Sequence, residues 1–352
     1  MIEPNQYVRK VKGYVPPMEG RRKKIRMDFN ENAIGPSPKV MKMVRELPSN
    51  VISTYPEYQE AYDLFSESFG VDRSRMLITN GSDEAIRLIF NAYVRPGDKI
   101  VIPVPTFTIF DLEARVFGAE VKEVPFNNDL TFPKDAAIME SEGARMTVIV
   151  NPNNPTGSSA SLDTIEEIAK RSEMVFVDEA YCEFNGVSAL ELIEKYDNII
   201  VTRTFSKAYG LAGLRIGLAF ANEDIIKTLK KVISPYSVNT IAIECAKTAI
   251  KDKDYMKNCM KEILRSRDLL MSGLRDLGFK IYDTDANFFI CDLGNEHDKV
   301  LELLNENDIL VRDRKGDMLL ENCVRISAGT MEESKKLLDV MREYCGGKDE
   351  KL

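Results

Sequence analysis

Residues 199–215 read IIVTRTFSKAYGLAGLR. The first four residues are β-branched without a break, which predicts a strand buried on both faces. A loop of small and apolar residues follows and carries Lys207, with Arg215 eight residues later. A buried amine is a good nucleophile, and a guanidinium suits a phosphate oxyanion. The segment therefore predicts a ligand site at a strand end, with a surface lysine in a glycine-rich loop as the alternative.

Similar apolar runs precede this segment along the chain. They lie at residues 76–79, 99–102, 147–150 and 174–177, and a helix-length segment separates each from the next. Strands rich in valine and isoleucine that alternate with helices indicate an α/β fold with a mostly parallel sheet, covered on both faces. Residues 215–220 follow the lysine loop too closely for a helical crossover, so we expect them to enter the sheet antiparallel.

The rest of the chain predicts a smaller α+β domain. Residues 255–277 carry apolar side chains at a helical period, and strand-like and helix-like pieces follow. We expect residues 1–45 to form an N-terminal arm and part of the small domain. Residues 46–250 would form the large domain, and residues 251–352 the small C-terminal domain.

Three more loops follow predicted strands, where open α/β sheets bind their ligands. Residues 80–84, NGSDE, lead into a helix whose free N–H groups suit an anion. Residues 151–157, NPNNPTG, hold Asn154 stiffly between prolines. Asp178 ends an apolar strand, where a carboxylate needs a cationic partner. The plainer alternatives are a helix N-cap for the first and third loops and an ordinary turn for the second.

Taken together, these loops would form a phosphate cradle with an amide, a carboxylate and a nucleophilic amine beside it. A phosphorylated aldehyde with a basic ring nitrogen fits all four groups. Pyridoxal 5'-phosphate is such a cofactor, because it binds a lysine covalently and pairs its ring nitrogen with an acid.

The composition argues against several other classes of protein. The net charge of −8 disfavours a nucleic-acid partner, and no apolar run is long enough to span a membrane. The chain start lacks a signal peptide's apolar core and the six cysteines are scattered, so we expect reduced thiols, a cytoplasmic location and no metal site. The single histidine, His297, is expected at the surface and leaves no base for a catalytic triad. Residues 21–24, RRKK, are expected to be solvated.

With these motifs in this order, the chain resembles the fold-type-I, class I and II aminotransferases from about residue 14 to residue 330. Within them it is most similar to the histidinol-phosphate aminotransferase subfamily. The resemblance implies a mostly parallel seven-stranded sheet in the large domain, a smaller α+β domain and bound pyridoxal phosphate.

The resemblance also implies roles for individual residues. Lys207 would be the Schiff-base lysine, and Asp178 would pair with the pyridine nitrogen. Asn154 and Tyr181 would hydrogen-bond the ring hydroxyl oxygen, with Tyr181 counted among the catalytic residues. Phe107 would stack on the ring. The residues that match the phosphate-binding group are Gly81, Ser82, Asp83, Thr204, Ser206 and Arg215.

Further residues would act at the subunit interface and on the substrate. Tyr55 matches a tyrosine that reaches the phosphate of the neighbouring subunit, which implies a homodimer. Arg325 matches the arginine that grips the substrate's anionic group. Asn30 belongs to the subfamily's N-terminal segment, and Tyr14 and Arg312 are further candidate contacts. Arg312 could equally be a solvated residue at a strand end.

The implied reaction is amino transfer from an amine, histidinol phosphate, to a 2-oxo acid such as 2-oxoglutarate, within histidine biosynthesis. The sequence leaves other readings open. These are an aromatic amino acid aminotransferase, a threonine-phosphate decarboxylase-like lyase on the same fold, and a ligand-sensing regulator. The last is disfavoured because the family match begins too near the chain start to leave room for a DNA-binding domain ahead of it.

Overall fold

The computed structural model describes residues 2–13, 15, 17 and 19–349. Its strands in chain order are β1 (Ile25–Met27), β2 (Met76–Thr79), β3 (Lys99–Val104), β4 (Glu120–Pro125), β5 (Met146–Val150), β6 (Val175–Asp178), β7 (Ile199–Thr204), β8 (Gly217–Phe220), β9 (Lys280–Ile281), β10 (Phe288–Asp292), β11 (Ile309–Asp313) and β12 (Cys323–Ser327).

The helices are named in the same way. They are α1 (Pro38–Arg45), α2 (Ser49–Ser53), α3 (Gln59–Phe69), α4 (Gly81–Tyr93), α5 (Ile109–Val116), α6 (Lys134–Glu140), α7 (Leu162–Ala169), α8 (Cys182–Asn185), α9 (Glu223–Leu229), α10 (Thr240–Lys251), α11 (Lys253–Asp276), α12 (His297–Glu306) and α13 (Met331–Asp349). No helix in the described ranges is long and apolar enough to cross a membrane.

The larger sheet has seven strands in the order β2-β8-β7-β6-β5-β3-β4. All neighbours are parallel except β8, which runs antiparallel to both β2 and β7. The strand order therefore confirms the mostly parallel seven-stranded sheet, including the antiparallel strand after the lysine loop.

Helices cover the large sheet on both faces, because alternate residues of its strands point to opposite sides. Val175 and Val177 of β6 belong to one apolar core, which also receives residues of α3 and α10. Phe176, between them, belongs to a second core with residues of α4 and α5. These cores fix the strands, and hence the loops at their carboxyl ends.

The smaller sheet has five strands in the order β1-β11-β12-β10-β9. β1 pairs parallel with β11, so an early segment of the chain completes a sheet otherwise built from late segments. Leu270 and Leu274 of α11 pack with Leu337 and Leu338 of α13 in the core that this sheet covers. The predicted helical face of residues 255–277 is therefore confirmed as a buried face.

Two local predictions were wrong. His297 is only 4% exposed, because its ring lies between Asp298 and Asp313 and hydrogen-bonds both. Arg21 is also largely buried, since Asp28 and Glu31 bind its guanidinium. In both cases nearby acidic residues of the chain fold back to supply the partners, and composition alone does not reveal them.

Candidate active site

A cavity of about 290 Å³ lies at the carboxyl ends of β5, β6 and β7, where the small sheet faces the large one. Most of the residues singled out in the sequence line it. They are Asn30, Ser82, Asp83, Phe107, Asn154, Asp178, Tyr181, Thr204, Ser206, Lys207, Arg215, Arg312 and Arg325. The ends of five strands of the large sheet (β2, β3, β5, β6 and β7) and two strands of the small sheet therefore converge on one space.

Lys207 lies in the loop after β7, with its amine in the cavity. Its Nζ donates a hydrogen bond to the backbone oxygen of Phe29, at 2.9 Å, and lies 5.6 Å from the centre of the Tyr181 ring. The Tyr181 hydroxyl in turn accepts a hydrogen bond from Asn30 Nδ2, at 2.9 Å. The amine is thus held between the large domain and the segment after β1.

Asp178 ends β6 and is only 3% exposed. Its Oδ1 accepts a hydrogen bond from Thr202 Oγ1 on the neighbouring strand, at 2.9 Å. Burial raises the pKa of Asp178 to about 7, the carboxylates of Asp83 and Glu179 act in the same direction, and Lys207 opposes them. A buried carboxylate of this kind is suited to a ligand that brings a positively charged N–H group.

One end of the cavity is built to hold an anion. α4 begins there at Gly81, so its first backbone N–H groups face the space. Arg215 Nη1 lies 3.4 Å from Ser206 Oγ, and its Nη2 donates to Asp83 Oδ2 at 2.9 Å. A Cβ atom on Gly81 would lie 2.6 Å from Arg215 Nη2, so glycine is what lets the guanidinium lie against the helix start. Ser82 is in the first turn of α4 and is not its N-cap, since the helix begins one residue earlier.

The loop that carries Asn154 is held by its neighbour Asn153. Asn153 is buried, and its amide donates to Thr156 Oγ1 at 2.9 Å and to Pro105 O at 3.0 Å. Thr106, next to Phe107, donates its hydroxyl to Asn153 Oδ1 at 2.6 Å. This set of bonds ties the Asn154 loop to the segment that carries the Phe107 ring.

Arg325 connects the cavity to the small sheet. Its guanidinium donates to Asn154 Oδ1 and to the backbone oxygen of Asp28. In the register of β11 and β12, Arg312 lies directly opposite Arg325. Like charges opposite each other across two strands are unfavourable, so this pairing favours an anionic ligand between them.

Some cavity residues were not singled out in the sequence. They are Phe29, Glu31, Thr106, Thr108, Val150, Ala180, Ala212 and Arg314. The Arg21 guanidinium stacks on the Phe29 ring at 3.8 Å, so the basic run at residues 21–24 reaches the site indirectly. Arg314 had a detectable signal, because it lies two positions from Arg312 at the end of a predicted strand and so shares its face.

Among the described residues, two predicted site residues do not line this cavity: Gly81, which begins the helix at its anion-binding end, and Tyr55. Tyr55 is 74% exposed and stacks on Tyr236, with ring centres 4.2 Å apart. Its predicted role is at the phosphate site of a neighbouring subunit, and the structure contains one chain. Tyr14 lies outside the described residues.

Comparisons with known proteins bear on the identity of this site. The histidinol-phosphate aminotransferase of Roseiflexus castenholzii is 34% identical over 335 residues, which cover 91% of this chain and 90% of the relative. The crystal structure of histidinol-phosphate aminotransferase from Sinorhizobium meliloti, in complex with pyridoxal-5'-phosphate, has a TM-score of 0.87 at 24% identity. It covers 98% of this chain and 99% of that one. L-threonine-O-3-phosphate decarboxylase from Porphyromonas gingivalis has a TM-score of 0.80 at 24% identity, covering 91% and 99% of the two chains.

At their level of identity the two solved structures show the fold, and they confirm the fold-type-I α/β architecture that the sequence predicts. The family model for aminotransferase class I and II matches residues 22–341. This match and the Roseiflexus relative together confirm the predicted family. The chain therefore belongs to the class I and II aminotransferase family.

Proposed function

We propose that this enzyme is a pyridoxal-phosphate-dependent aminotransferase that moves an amino group from histidinol phosphate to 2-oxoglutarate. One observation carries the proposal: the Lys207 amine, the buried Asp178 carboxylate and the anion cradle at α4 open into a single cavity. The similarity to histidinol-phosphate aminotransferases over most of the chain supports the choice of amine.

The residues of the cavity fit pyridoxal phosphate. The start of α4, together with Ser206 and Arg215, would hold the phosphate group. Asp178 would pair with the ring nitrogen, because an adjacent positive charge offsets the cost of burying its carboxylate. Phe107 would lie against the ring face.

Each residue then has a separate task in catalysis. When bound, pyridoxal phosphate supplies an aldehyde carbon that bonds to amines and a ring that accepts electrons from the substrate carbon. Lys207 Nζ takes the proton from the amine-bearing carbon of the substrate and holds it for return. Tyr181 and Asn154 orient the ring hydroxyl oxygen, and Asp178 keeps the ring nitrogen protonated. Arg325 and Arg312 hold the anionic group of the substrate. Asn30 positions the Tyr181 hydroxyl by donating a hydrogen bond to it.

The number of guanidinium groups favours a phosphorylated amine over an aromatic amino acid. Arg312, Arg314 and Arg325 all line the cavity. A phosphate monoester carries more charge and more acceptor oxygens than a carboxylate, so it makes fuller use of several guanidinium groups. The carboxylate of 2-oxoglutarate would be held by Arg312 and Arg325 in the second half of the cycle.

We also propose that the enzyme is a cytoplasmic homodimer in which Tyr55 reaches the partner's cofactor. The exposed cluster of Ile52, Tyr55 and Tyr236 supports a subunit interface, since large apolar groups rarely gather on a free surface. The buried thiols of Cys182, Cys245, Cys259, Cys291 and Cys323 agree with a reducing compartment.

Two measurements test the cofactor and the substrate separately. Borohydride treatment of the yellow holoenzyme, followed by peptide mass spectrometry, should place the reduced cofactor on Lys207, and Lys207→Ala should take up no label. Single-turnover spectra with an amine panel should show histidinol phosphate reacting faster than phenylalanine or tyrosine. Label on another lysine would refute the assignment of Lys207. Faster reaction with an aromatic amino acid, or carbon dioxide release from threonine phosphate, would replace the substrate and leave the family unchanged.

A further inference from the structure

Arg314 lines the cavity as a third small-domain arginine, in addition to Arg312 and Arg325, which the sequence indicated. Arg312 and Arg314 are two positions apart at the end of β11, so their side chains leave the same face. Asp313, between them, points to the other face and accepts a hydrogen bond from His297. The strand thus directs two guanidinium groups to the cavity and one carboxylate away from it.

Arg314 is held in place by its own turn. Its backbone N–H donates to Cys323 O at 3.1 Å, and the N–H of Asp317 donates to Arg314 O at 3.0 Å. The Asp317 carboxylate forms an ion pair with the Arg314 guanidinium, whose side chain is only 12% exposed. Burial raises the pKa of Asp317, while Arg314, Arg312 and Arg325 act against that rise. The Asp317 carboxylate therefore offsets the positive charge of this group of arginines.

We propose that Arg314 is a specificity-determining residue that binds the substrate's phosphate, and that Asp317 is its counter-ion when no substrate is present. The proposal rests on the proposed function, because it concerns how the phosphate of the amine is recognised. A carboxylate has two oxygens, so one guanidinium fork satisfies it. A phosphate monoester has three terminal oxygens and a charge near −2, so a further guanidinium adds binding for phosphate that the carboxylate of 2-oxoglutarate does not use.

Asp317 then competes with the substrate for Arg314. A dianion can displace it, whereas a single carboxylate gains little by doing so. The two residues act through one contact, so the effect of changing Asp317 should depend on the presence of Arg314.

A double-mutant cycle on the holoenzyme tests this dependence, using Arg314→Gln, Asp317→Asn and the pair together. The measured quantities are KM for histidinol phosphate, KM for 2-oxoglutarate and the inhibition constant of inorganic phosphate. For Arg314→Gln we expect the phosphate substrate's KM and the inhibition constant to rise about tenfold, as for loss of one charge-assisted bond. KM for 2-oxoglutarate and kcat should each change less than about threefold.

Asp317→Asn should lower the inhibition constant of inorganic phosphate about threefold when Arg314 is present and have no effect when it is glutamine. Lys315→Gln is the matched control, because Lys315 lies in the same turn but pairs with Asp298 outside the cavity. That variant removes one positive charge and should leave all three constants within about twofold.

Equal changes in the constants for phosphate and for 2-oxoglutarate would overturn the specificity role. An effect of Asp317→Asn that persists without Arg314 would overturn the counter-ion role. If histidinol phosphate is not a substrate, the proposed function fails by itself, and inorganic phosphate still reports on Arg314.

Discussion

At the scale of single residues, Asp178 shows how a fold can prepare a group for a ligand. Its position at the end of a buried strand could be predicted from the sequence, as could its need for a positive partner. Burial acts against the charge of the carboxylate, while the hydroxyl of Thr202 and, to a smaller extent, Lys207 stabilise it. The cofactor-free protein therefore carries an unfavourable carboxylate that the ring nitrogen would relieve.

This imbalance predicts a pH-dependent stability in the cofactor-free protein. The pKa of Asp178 is about 7 in the folded state, well above the ordinary value of 3.8 for this carboxyl group, so the folded state binds the proton more tightly. Stability must then fall as pH rises from about 4 to about 7. Asp178→Asn removes this loss of stability. The free energy of unfolding of the variant should therefore rise relative to that of the wild type as pH rises, by at most roughly 4 kcal/mol. Calorimetry of both proteins across that range measures the difference. Adding cofactor to the wild type should abolish the trend, and a difference that is constant with pH would contradict the argument.

Other residues show why sequence analysis of the site was incomplete. Lys207, Asp178 and Asn154 could be expected at one site because each lies at or just after the end of a predicted strand, and all three line the cavity. The burial of Arg21 and His297 could not be predicted, because it depends on how nearby acidic residues fold back onto them. The sequence indicated polar residues at strand ends, and it was wrong about those whose burial depends on the local path of the chain.

At the scale of secondary structure elements, the start of α4 combines an open helix end with a close approach by Arg215. Gly81 has a φ of +76°, and a Cβ there would meet the Arg215 guanidinium. Because that group is the far end of a flexible side chain, it could move aside, but it would then leave the anion cradle. The glycine thus allows the close approach of Arg215 as well as the backbone conformation at the helix start.

Gly81→Ala should therefore weaken cofactor binding by about tenfold or more, since a charge-assisted contact is lost. Gly70→Ala is the matched control. Its φ is +68°, and among the described residues no atom lies within 4 Å of the added Cβ. Both variants should lose about 1 kcal/mol of stability from the backbone strain. Cofactor dissociation constants, measured by absorbance titration, distinguish them, and equal affinities in the two variants would show that Arg215 does not depend on Gly81.

A second feature at this scale is a buried ionic cluster formed by Arg203, Glu179 and Glu183. Arg203 of β7 lies 2.7 Å from Glu179 Oε2 and donates to Glu183 Oε1 at 2.9 Å and to Ser188 Oγ at 2.9 Å. The cluster joins β7, α8 and the residue after β6, next to the strand ends at which Lys207 and Asp178 lie. It therefore ties together the segments from which these two groups enter the cavity.

Arg203→Met would leave buried carboxylates without their cation, so we expect a loss of about 3–5 kcal/mol in the free energy of unfolding. Arg73→Met is the comparison, because Arg73 pairs with Asp63 at 2.6 Å on the surface and should cost at most about 1 kcal/mol. Thermal unfolding midpoints of both variants measure this difference. Replacing Glu179 with methionine in the Arg203→Met background should recover part of the loss, and similar midpoints for both single variants would argue against a structural role for the cluster.

The strands themselves were the most predictable elements, since continuous runs of valine and isoleucine usually indicate a strand that is buried on both faces. Within the large sheet, β4 was the exception. Its sequence, EVKEVP, is half charged, and most of its residues are at least partly exposed. β2, at the opposite edge of the sheet, is fully buried and has an apolar run, so it is the exposure of β4 that removes the pattern that identified the others.

At the scale of the whole molecule, the cavity depends on both sheets. Lys207 and Asp178 come from the larger sheet, and Arg312 and Arg325 from the smaller one. We propose that the chain divides as its sequence suggests, with residues 1–45 contributing to the small domain, residues 46–250 forming the large domain and residues 251–352 completing the small one. Pairing of β1 with β11 supports this division. No local pattern could predict that pairing, because its two strands are separated by nearly the whole chain.

Assembly is the remaining whole-molecule question, and Tyr55 provides its test. The residue is 74% exposed and does not line the cavity of its own chain, although the resemblance assigns it to a phosphate site. If it acts across a dimer, each site combines Lys207 of one subunit with Tyr55 of the other. A hybrid of Lys207→Ala and Tyr55→Phe subunits then contains one intact site and one doubly altered site.

After subunit exchange at equal concentrations half the dimers are hybrids, so activity should recover to about a quarter of the wild-type value. Mixing Lys207→Ala with Lys207→Gln subunits is the control and should recover nothing. If Tyr55 acted within its own subunit, every hybrid site would be altered, and the mixture would be no more active than the mean of its parents.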